Sequence, residues 1–200
     1  MRNVDSTDLQ KLYLAYFGRP ADPSGINYWR SRLNNLLTLK DISNELSRQE
    51  EYFNSIPSDK SFEFKINKVY LNLFNRKADF DGLNHWMEMT ENSGYEISDI
   101  VYELACANTK SYWVDFEQDK KDAYVLQNKI SAAELFTTQI SKSITLINLY
   151  KPDSISPWQA GKSFARVSNF FNNITDDKVS IDQVNDLIFS LSNVSINMLI

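Results

Sequence analysis

The apolar residues of this chain recur every three or four positions, a spacing that places side chains on one face of an α-helix. No segment shows a convincing pair of alternating strands joined by a hairpin turn. The first predicted helix has a single apolar face, formed by Leu9, Leu12, Tyr13, Tyr16 and Phe17. The pattern predicts an all-α fold with about nine or ten helices.

The third predicted helix begins near Leu39 and ends before Pro57. Its inward-facing residues are expected to be Ile42, Leu46 and Phe53, because they share one face at helical spacing. The next three predicted helices repeat the apolar pattern of the first three.

The repetition extends to the residues themselves, because residues 12–29 and 69–86 share nine identities in eighteen positions. Such similarity at a fixed offset indicates an internal duplication, here of a three-helix repeat followed by C-terminal helices. We expect residues 1–56 to form the first repeat and residues 57–141 the second repeat with a long following helix. Residues 142–200 are expected to form a C-terminal helical segment that packs on the repeats.

The best-matched part of the duplication is a corner between two helices, which reads "GRPADPSG" in copy one and "NRKADFDG" in copy two. Gly18 or Asn75 can adopt the left-handed conformation that ends a helix. Asp22 or Asp79 can then cap the next helix by accepting hydrogen bonds from its free backbone amides. The corner therefore predicts a helix–corner–helix structure rather than a catalytic site.

Three further features of each corner have structural explanations. The glycine lets the two helices approach closely, and the tryptophan one turn later falls on the buried face. The arginine precedes the capping aspartate by three residues, near enough to form a charge pair with it. The structural motif consists of Arg19, Asp22, Gly25 and Trp29 in copy one, and of Arg76, Asp79, Gly82 and Trp86 in copy two.

Composition and charge exclude several classes of protein. The net charge of −5 and the pI near 5.0 argue against nucleic-acid binding, which relies on lysine and arginine at phosphates. No apolar run approaches the roughly 18–20 residues that span a bilayer. The single cysteine, Cys106, excludes an intrachain disulfide and a multi-cysteine metal site.

Calcium is the one cofactor that the sequence leaves open. Asp79 and Glu88 would take positions three and twelve of an EF-hand loop, but Lys77 occupies the first position, where calcium needs an oxygen. The acidic stretch "DFEQDKKD" at residues 115–122 is another candidate, although a solvated charged helix face explains it better.

Catalytic motifs fail on inspection, so we expect no enzyme. "AGKS" at residues 160–163 lacks the upstream glycine and the preceding strand of a phosphate-binding loop. His85, the single histidine, takes the place of Tyr28 in the duplicate and is expected to be partly buried and structural. Cys106 lies among apolar helix residues and is expected to be packed rather than reactive.

The segments "LYLAYFGRPADPSGINYW" and "VYLNLFNRKADFDGLNHW" resemble the helical repeat of domain-of-unknown-function family 4214, which is similar to the linker domains of phycobilisomes. "LQNKISAAELFTTQI" resembles the segment that follows the second copy in large bacterial surface proteins. The resemblance covers nearly all 200 residues. It departs from the pattern at Asn75, Lys77 and His85, and glycine-rich calcium-binding nonapeptides do not occur in the sequence.

The resemblance implies a role at the bacterial cell surface. Proteins of this kind include S-layer and RTX-type exoproteins that leave by type I secretion, which needs no N-terminal signal peptide. The start of the chain, "MRNVDSTDLQ", has no apolar signal region, which is consistent with this route and equally with a cytosolic protein.

In S-layer proteins such a helical region anchors the lattice by binding lipopolysaccharide O-antigen. We therefore expect an extracellular, non-enzymatic module that binds cell-surface polysaccharide and lies beside copies of itself in a lattice. Aromatic rings that escape the core would carry the sugar, with candidates Tyr28, Tyr95, Trp113 and Trp158. The alternative is a protein–protein linker or scaffold similar to the phycobilisome linkers.

Overall fold

A computed structural model describes residues 6–34, 37–57, 59–106, 117–150 and 162–196. These ranges contain eleven helices and no β-strand, which confirms the predicted all-α fold. The helices are α1 (Ser6–Phe17), α2 (Pro23–Asn34), α3 (Leu39–Ser47), α4 (Glu50–Ser55), α5 (Phe62–Phe74), α6 (Phe80–Ser93), α7 (Ile97–Cys106), α8 (Glu117–Ile140), α9 (Ile144–Leu149), α10 (Lys162–Asn172) and α11 (Ile181–Ile196).

None of the described helices combines the length and the apolar character that crossing a membrane requires.

The predicted third helix is in fact two helices, α3 and α4, separated at Arg48 and Gln49. The break changes the face that the following residues present. Phe53, which was expected to point inward, is 70% exposed, and its neighbour Tyr52 is buried instead. The Tyr52 ring packs edge-on against Tyr16, with 5.0 Å between the ring centroids. The prediction for Phe53 is wrong because the pattern was read as one uninterrupted helix.

Helix α1 lies at the centre of the fold, and residues 9–16 are buried without exception. Equivalent helices of the two copies pack against each other, α1 against α5 and α3 against α7. Helix α8 contacts both α1 and α5, and α11 packs on α8. The buried side chains form one continuous core that includes both copies and the C-terminal helices.

Both corners end the preceding helix as predicted. Gly18 follows α1 with φ +62°, and Asn75 follows α5 with φ +58°. Each residue donates its backbone amide to a carbonyl four residues earlier, which satisfies one of the free carbonyls at a helix end. The sequence difference between the copies therefore leaves the backbone turn unchanged.

The two capping aspartates also occupy their predicted places. One oxygen of Asp22 accepts the backbone amide three residues later at 2.9 Å, and one oxygen of Asp79 does the same at 2.8 Å. Pro23 begins α2, where no amide donor is needed. Both caps therefore stabilise the start of the second helix of their repeat.

A further hydrogen bond, present in both copies, joins each corner to the helix that precedes it. The side-chain oxygen of Gln10 accepts the Ala21 amide at 2.9 Å, and that of Asn67 accepts the Ala78 amide at 3.1 Å. Gln10 and Asn67 are 57 positions apart, like the paired residues of the two corners. The sequence comparison missed them because the two residue types differ, although both side chains are amides.

The corner tryptophans are buried and hydrogen-bonded to a tyrosine of the preceding helix. Trp29 donates its indole N–H to Tyr13 Oη at 3.2 Å, and Trp86 donates to Tyr70 Oη at 2.9 Å. A buried indole needs such an acceptor, so this pair holds the two helices of each corner in one register.

A buried lysine joins α8 to the end of α5. The Lys129 ammonium is completely shielded from solvent and donates to the Asn72 backbone carbonyl at 2.6 Å and to Asn75 Oδ1 at 2.5 Å. The two asparagine side chains continue the network, because Asn72 donates to the Ala15 carbonyl and Asn75 to the Ile174 carbonyl. Burial lowers the pKa of Lys129 from 10.5 to about 7.

The two corner glycines should respond differently to replacement by alanine. A Cβ at Gly25 would lie 2.3 Å from Tyr13 Oη, whereas at Gly82 it would lie 3.3 Å from Tyr70 Oη. Gly25→Ala should therefore destabilise the protein by about 1–3 kcal/mol through overpacking. Gly82→Ala should change stability by less than about 1 kcal/mol, because the helix propensity of alanine offsets the tight contact. Urea unfolding curves test this, and equal losses in the two variants would contradict the account.

Lys129 should make the free energy of unfolding depend on pH. Because its pKa is lower in the folded protein, the unfolded chain holds more protons between pH 7 and 10.5, so this group's contribution to stability increases as pH rises through that window. The destabilising effect is fully present below the folded pKa. We expect the stability of the wild type relative to Lys129→Met to increase by up to about 1.4 kcal/mol per pH unit.

Urea unfolding at several pH values between 7 and 9 measures this difference. Lys120→Met, at an exposed position of the same helix, is the matched control and should show no such trend. Parallel pH profiles for the wild type and Lys129→Met would show that the buried amine does not titrate as described.

Candidate functional site

The arginine of the first corner is buried and pairs with a distant carboxylate. Arg19 is 2% exposed and binds Glu51 of α4 through two parallel hydrogen bonds, Nε to Oε1 and Nη2 to Oε2, both at 2.6 Å. A third nitrogen donates to the Pro20 carbonyl at 3.0 Å. The predicted charge pair with Asp22 does not form, because the guanidinium is turned toward α4.

Four aromatic rings surround the same guanidinium. Its central carbon lies 4.0 Å from the ring centroid of Phe164, and the other three rings are 5.4–5.7 Å away. Burial by itself lowers the pKa of Arg19, but Tyr150 and Glu51 outweigh it and raise the pKa well above the usual value. The side chain is therefore a permanent cation in an aromatic cage. The cage consists of Tyr13, Phe17, Tyr150 and Phe164.

The arginine of the second corner also pairs with a distant carboxylate, but on a different helix. Arg76 binds Asp122 of α8, with Nε to Oδ1 at 2.9 Å and Nη2 to Oδ2 at 2.5 Å. The predicted contact with Asp79 is present but longer, at 3.5 Å. Asp122 is 1% exposed, so the expectation of a solvated charged face is wrong for this residue. Its burial follows from the ion pair, which attaches α8 to the corner.

Calcium stays a prediction from the sequence. No group of three or more acidic, histidine or cysteine side chains that could hold a metal ion occurs among the residues that the structure describes. Asp79, considered above as an EF-hand ligand, caps α6.

Of the four aromatic residues predicted to bind sugar, the structure describes two, Tyr28 and Tyr95. Tyr28 is 50% exposed, but Arg32 covers its ring at 5.1 Å and donates to its hydroxyl at 2.7 Å. Tyr95 is partly buried against the core. Trp113 and Trp158 lie outside the described residues.

His85 differs from the expectation of partial burial, because it is exposed. Its ring stands edge-on to Trp86 with 4.8 Å between centroids, as Tyr28 does to Trp29 at the same distance. The histidine thus keeps the structural contact of its counterpart at the surface. The side chain of Cys106 lies outside the described part of the structure.

A groove of about 540 Å³ lies between α10, α11 and the loop that joins them. We name it the C-terminal groove. Phe170 provides a half-buried ring, and Arg166 donates one N–H to the Ser190 carbonyl at 2.9 Å. The Asn169 amide and the Lys178 ammonium line the groove without a partner among the described residues. The groove is lined by Arg166, Asn169, Phe170, Asn173, Lys178 and Gln183, with five further residues around them.

A second cavity, of about 260 Å³, opens beside the first corner. We name it the corner pocket. Its walls combine aromatic rings with charged groups: Tyr13, Phe17, Trp29, Arg19, Asp22, Glu50 and Glu51 are among the lining residues. Sequence reasoning missed this pocket because α4 was read as part of α3.

A third groove, of about 440 Å³, lies between α1, α2 and α8, but part of its polar lining is already engaged. Gln10 donates to Thr137 Oγ1 at 2.8 Å, and Thr137 donates to the Ala21 carbonyl at 2.7 Å. These bonds hold α8 against the first corner, while Asn27 and Arg30 line the groove at exposed positions.

The signal for the C-terminal groove was present in the sequence. The segment "SNFFNN" at residues 168–173, which includes the end of α10, combines three side-chain amides with two aromatic rings. Helical spacing separates them, so Phe171 is buried while Asn169 and Asn173 are exposed.

The chain matches none of the family models, curated proteins or solved structures with which it was compared. The resemblance to family 4214 therefore stays a prediction from the sequence, and the function has to be argued from the grooves themselves.

Proposed function

We propose that the chain is a non-enzymatic binding module that attaches a secreted protein to the cell surface by binding surface glycan. Lipopolysaccharide O-antigen is the polymer that the sequence resemblance favours. The observation that carries the proposal is the C-terminal groove, with its ring and its unpaired polar side chains.

The chemistry of this groove suits a sugar. Each sugar hydroxyl can both donate and accept a hydrogen bond, which amide and guanidinium groups match with fixed planar geometry. The C–H face of a sugar ring is apolar and packs on an aromatic side chain such as Phe170. The groove supplies both kinds of surface within about 540 Å³.

The two free hydrogen-bonding groups come from different structural elements. One precedes Phe170 in the sequence and the other follows it. Asn169 comes from α10, and Lys178 comes from the loop before α11. Neither side chain has a partner among the described residues, so a ligand could engage them without breaking an existing bond. The remaining guanidinium N–H groups of Arg166 can also donate hydrogen bonds to a ligand.

The same lining favours binding over catalysis. Among the described residues that line the groove, Asp177 is the single carboxylate and none is a histidine or a cysteine. Glycoside hydrolysis ordinarily uses two carboxylates on opposite sides of the scissile bond. We therefore infer that the groove holds glycan without cleaving it.

The test is retention of the chain on immobilised O-antigen polysaccharide, with and without calcium. The double variant Asn169→Ala, Lys178→Ala removes two free groups from the groove and should bind about tenfold more weakly, since two hydrogen bonds of about 1 kcal/mol each are lost. Tenfold is a conservative figure, because the two losses need not be additive.

A matched control removes the same residue types elsewhere. Asn185 on α11 and Lys120 on α8 are exposed and lie outside the groove lining, so Asn185→Ala, Lys120→Ala should bind like the wild type. Absence of retention under both calcium conditions, or an equal loss in the control, would contradict the proposal.

The alternative function, a protein–protein linker, has one observation in its favour. Phe80, Ile144 and Phe53 are 78%, 73% and 70% exposed, and large apolar side chains at the surface are common where proteins associate. A linker of this kind should assemble with itself or with other subunits as its concentration rises. Light scattering over a concentration series measures this, and a constant monomer mass would exclude self-assembly.

A further inference from the structure

The capping aspartates of the two corners differ in their second oxygen. In copy two, Asp79 Oδ2 lies 3.5 Å from the guanidinium of Arg76. In copy one, Arg19 is turned to Glu51, and Asp22 Oδ2 accepts no hydrogen bond from the described residues. Asp22 Oδ2 therefore has no donor in the described part of the chain, whereas Oδ1 also accepts the Ser24 hydroxyl at 2.5 Å.

This oxygen belongs to a side chain that is almost completely buried. Asp22 is 5% exposed, yet it lines the corner pocket. The Gly25 amide and the Ser24 hydroxyl already stabilise Oδ1, so Oδ2 is the oxygen with which a cation in the pocket would pair.

The walls of the corner pocket suit an organic cation. Trp29 contributes an aromatic ring to this volume of about 260 Å³, beside Tyr13 and Phe17, whose rings also contact Arg19. The negative faces of such rings attract ammonium groups, and aromatic walls with a carboxylate form the usual cage for them. A small metal ion would instead need several oxygen ligands in place of these rings.

The charge of the corner pocket also favours a cation. Asp22, Glu50 and Glu51 line it together with Arg19, so three carboxylates face one guanidinium. Arg19 is already neutralised by its two bonds to Glu51, which leaves the negative charge of Asp22 and of the exposed Glu50 for a ligand.

We infer that the corner pocket of copy one binds an organic ammonium group, supplied by an amino sugar or by a lysine side chain. The pocket is separate from the C-terminal groove, so this inference does not depend on the proposed glycan function. The second corner lacks the site, because Arg76 occupies the equivalent carboxylate oxygen.

The experiment follows the indole N–H signal of Trp29 by NMR while the full chain is titrated with small probes. Glucosamine and Nα-acetyl-lysine amide carry the ammonium group; glucose and Nα,Nε-diacetyl-lysine amide are their uncharged counterparts. The charged probes should shift the Trp29 signal with saturation, and the uncharged probes should not. Saturation by glucosamine alone identifies an amino sugar as the source, and saturation by the lysine amide alone identifies a side chain; each supports the inference.

Asp22→Asn removes the charge and keeps the cap, because asparagine caps helices as well as aspartate does. It should weaken binding of the charged probes by at least about tenfold, the effect of losing a hydrogen bond to a charged group. Asp79→Asn makes the same change in the second corner and should leave binding unchanged. Glu50→Gln changes an exposed position on the rim of the pocket and should weaken binding of the charged probes less. If Asp22→Asn does not fold, this variant still measures the contribution of negative charge to binding.

Three results would overturn the inference: no charged probe shifts the Trp29 signal, charged and uncharged probes bind alike, or Asp22→Asn and Asp79→Asn bind alike. The Asn169→Ala, Lys178→Ala variant should keep full ammonium binding, so failure of the glycan proposal and failure of this inference can be told apart.

Discussion

The first corner of this fold depends on a buried positive charge. The Arg19 guanidinium is 2% exposed, and a charge in that position must be paired and hydrogen-bonded. Its carboxylate partner comes from α4, 32 residues later, and the nearest ring of its cage comes from α10. Satisfying one guanidinium therefore brings three separate parts of the chain together at the first corner.

The duplication gives two corners with one backbone geometry and different partners. Arg76 repeats the position of Arg19 but binds Asp122 of α8, and its side chain stays 23% exposed. Each corner thus fixes a later helix to its repeat, while the side chains around it can diverge. At the first corner the arginine is turned to Glu51, and Asp22 Oδ2 accepts no hydrogen bond from any residue that the structure describes. The C-terminal groove, which carries the proposed function, lies on helices outside the duplication.

The sequence predicted those features that depend on neighbouring residues. The left-handed turns at Gly18 and Asn75 and the caps at Asp22 and Asp79 form within a few positions and follow from local backbone chemistry. The partner of Arg19 was not predictable in this way, because charge and spacing do not say which of many carboxylates folds back onto it. The break between α3 and α4 was missed since neither Arg48 nor Gln49 is a helix-breaking residue.

The claim that the Arg19–Glu51 pair fixes the first repeat is tested most directly by a double-mutant cycle on unfolding free energy. Glu51→Gln alone leaves a buried guanidinium without its counter-charge and should cost about 3–5 kcal/mol. Adding Arg19→Met to that variant should recover most of the loss, so the two changes are strongly non-additive. If the losses instead add, the two side chains stabilise the fold independently and the account is contradicted.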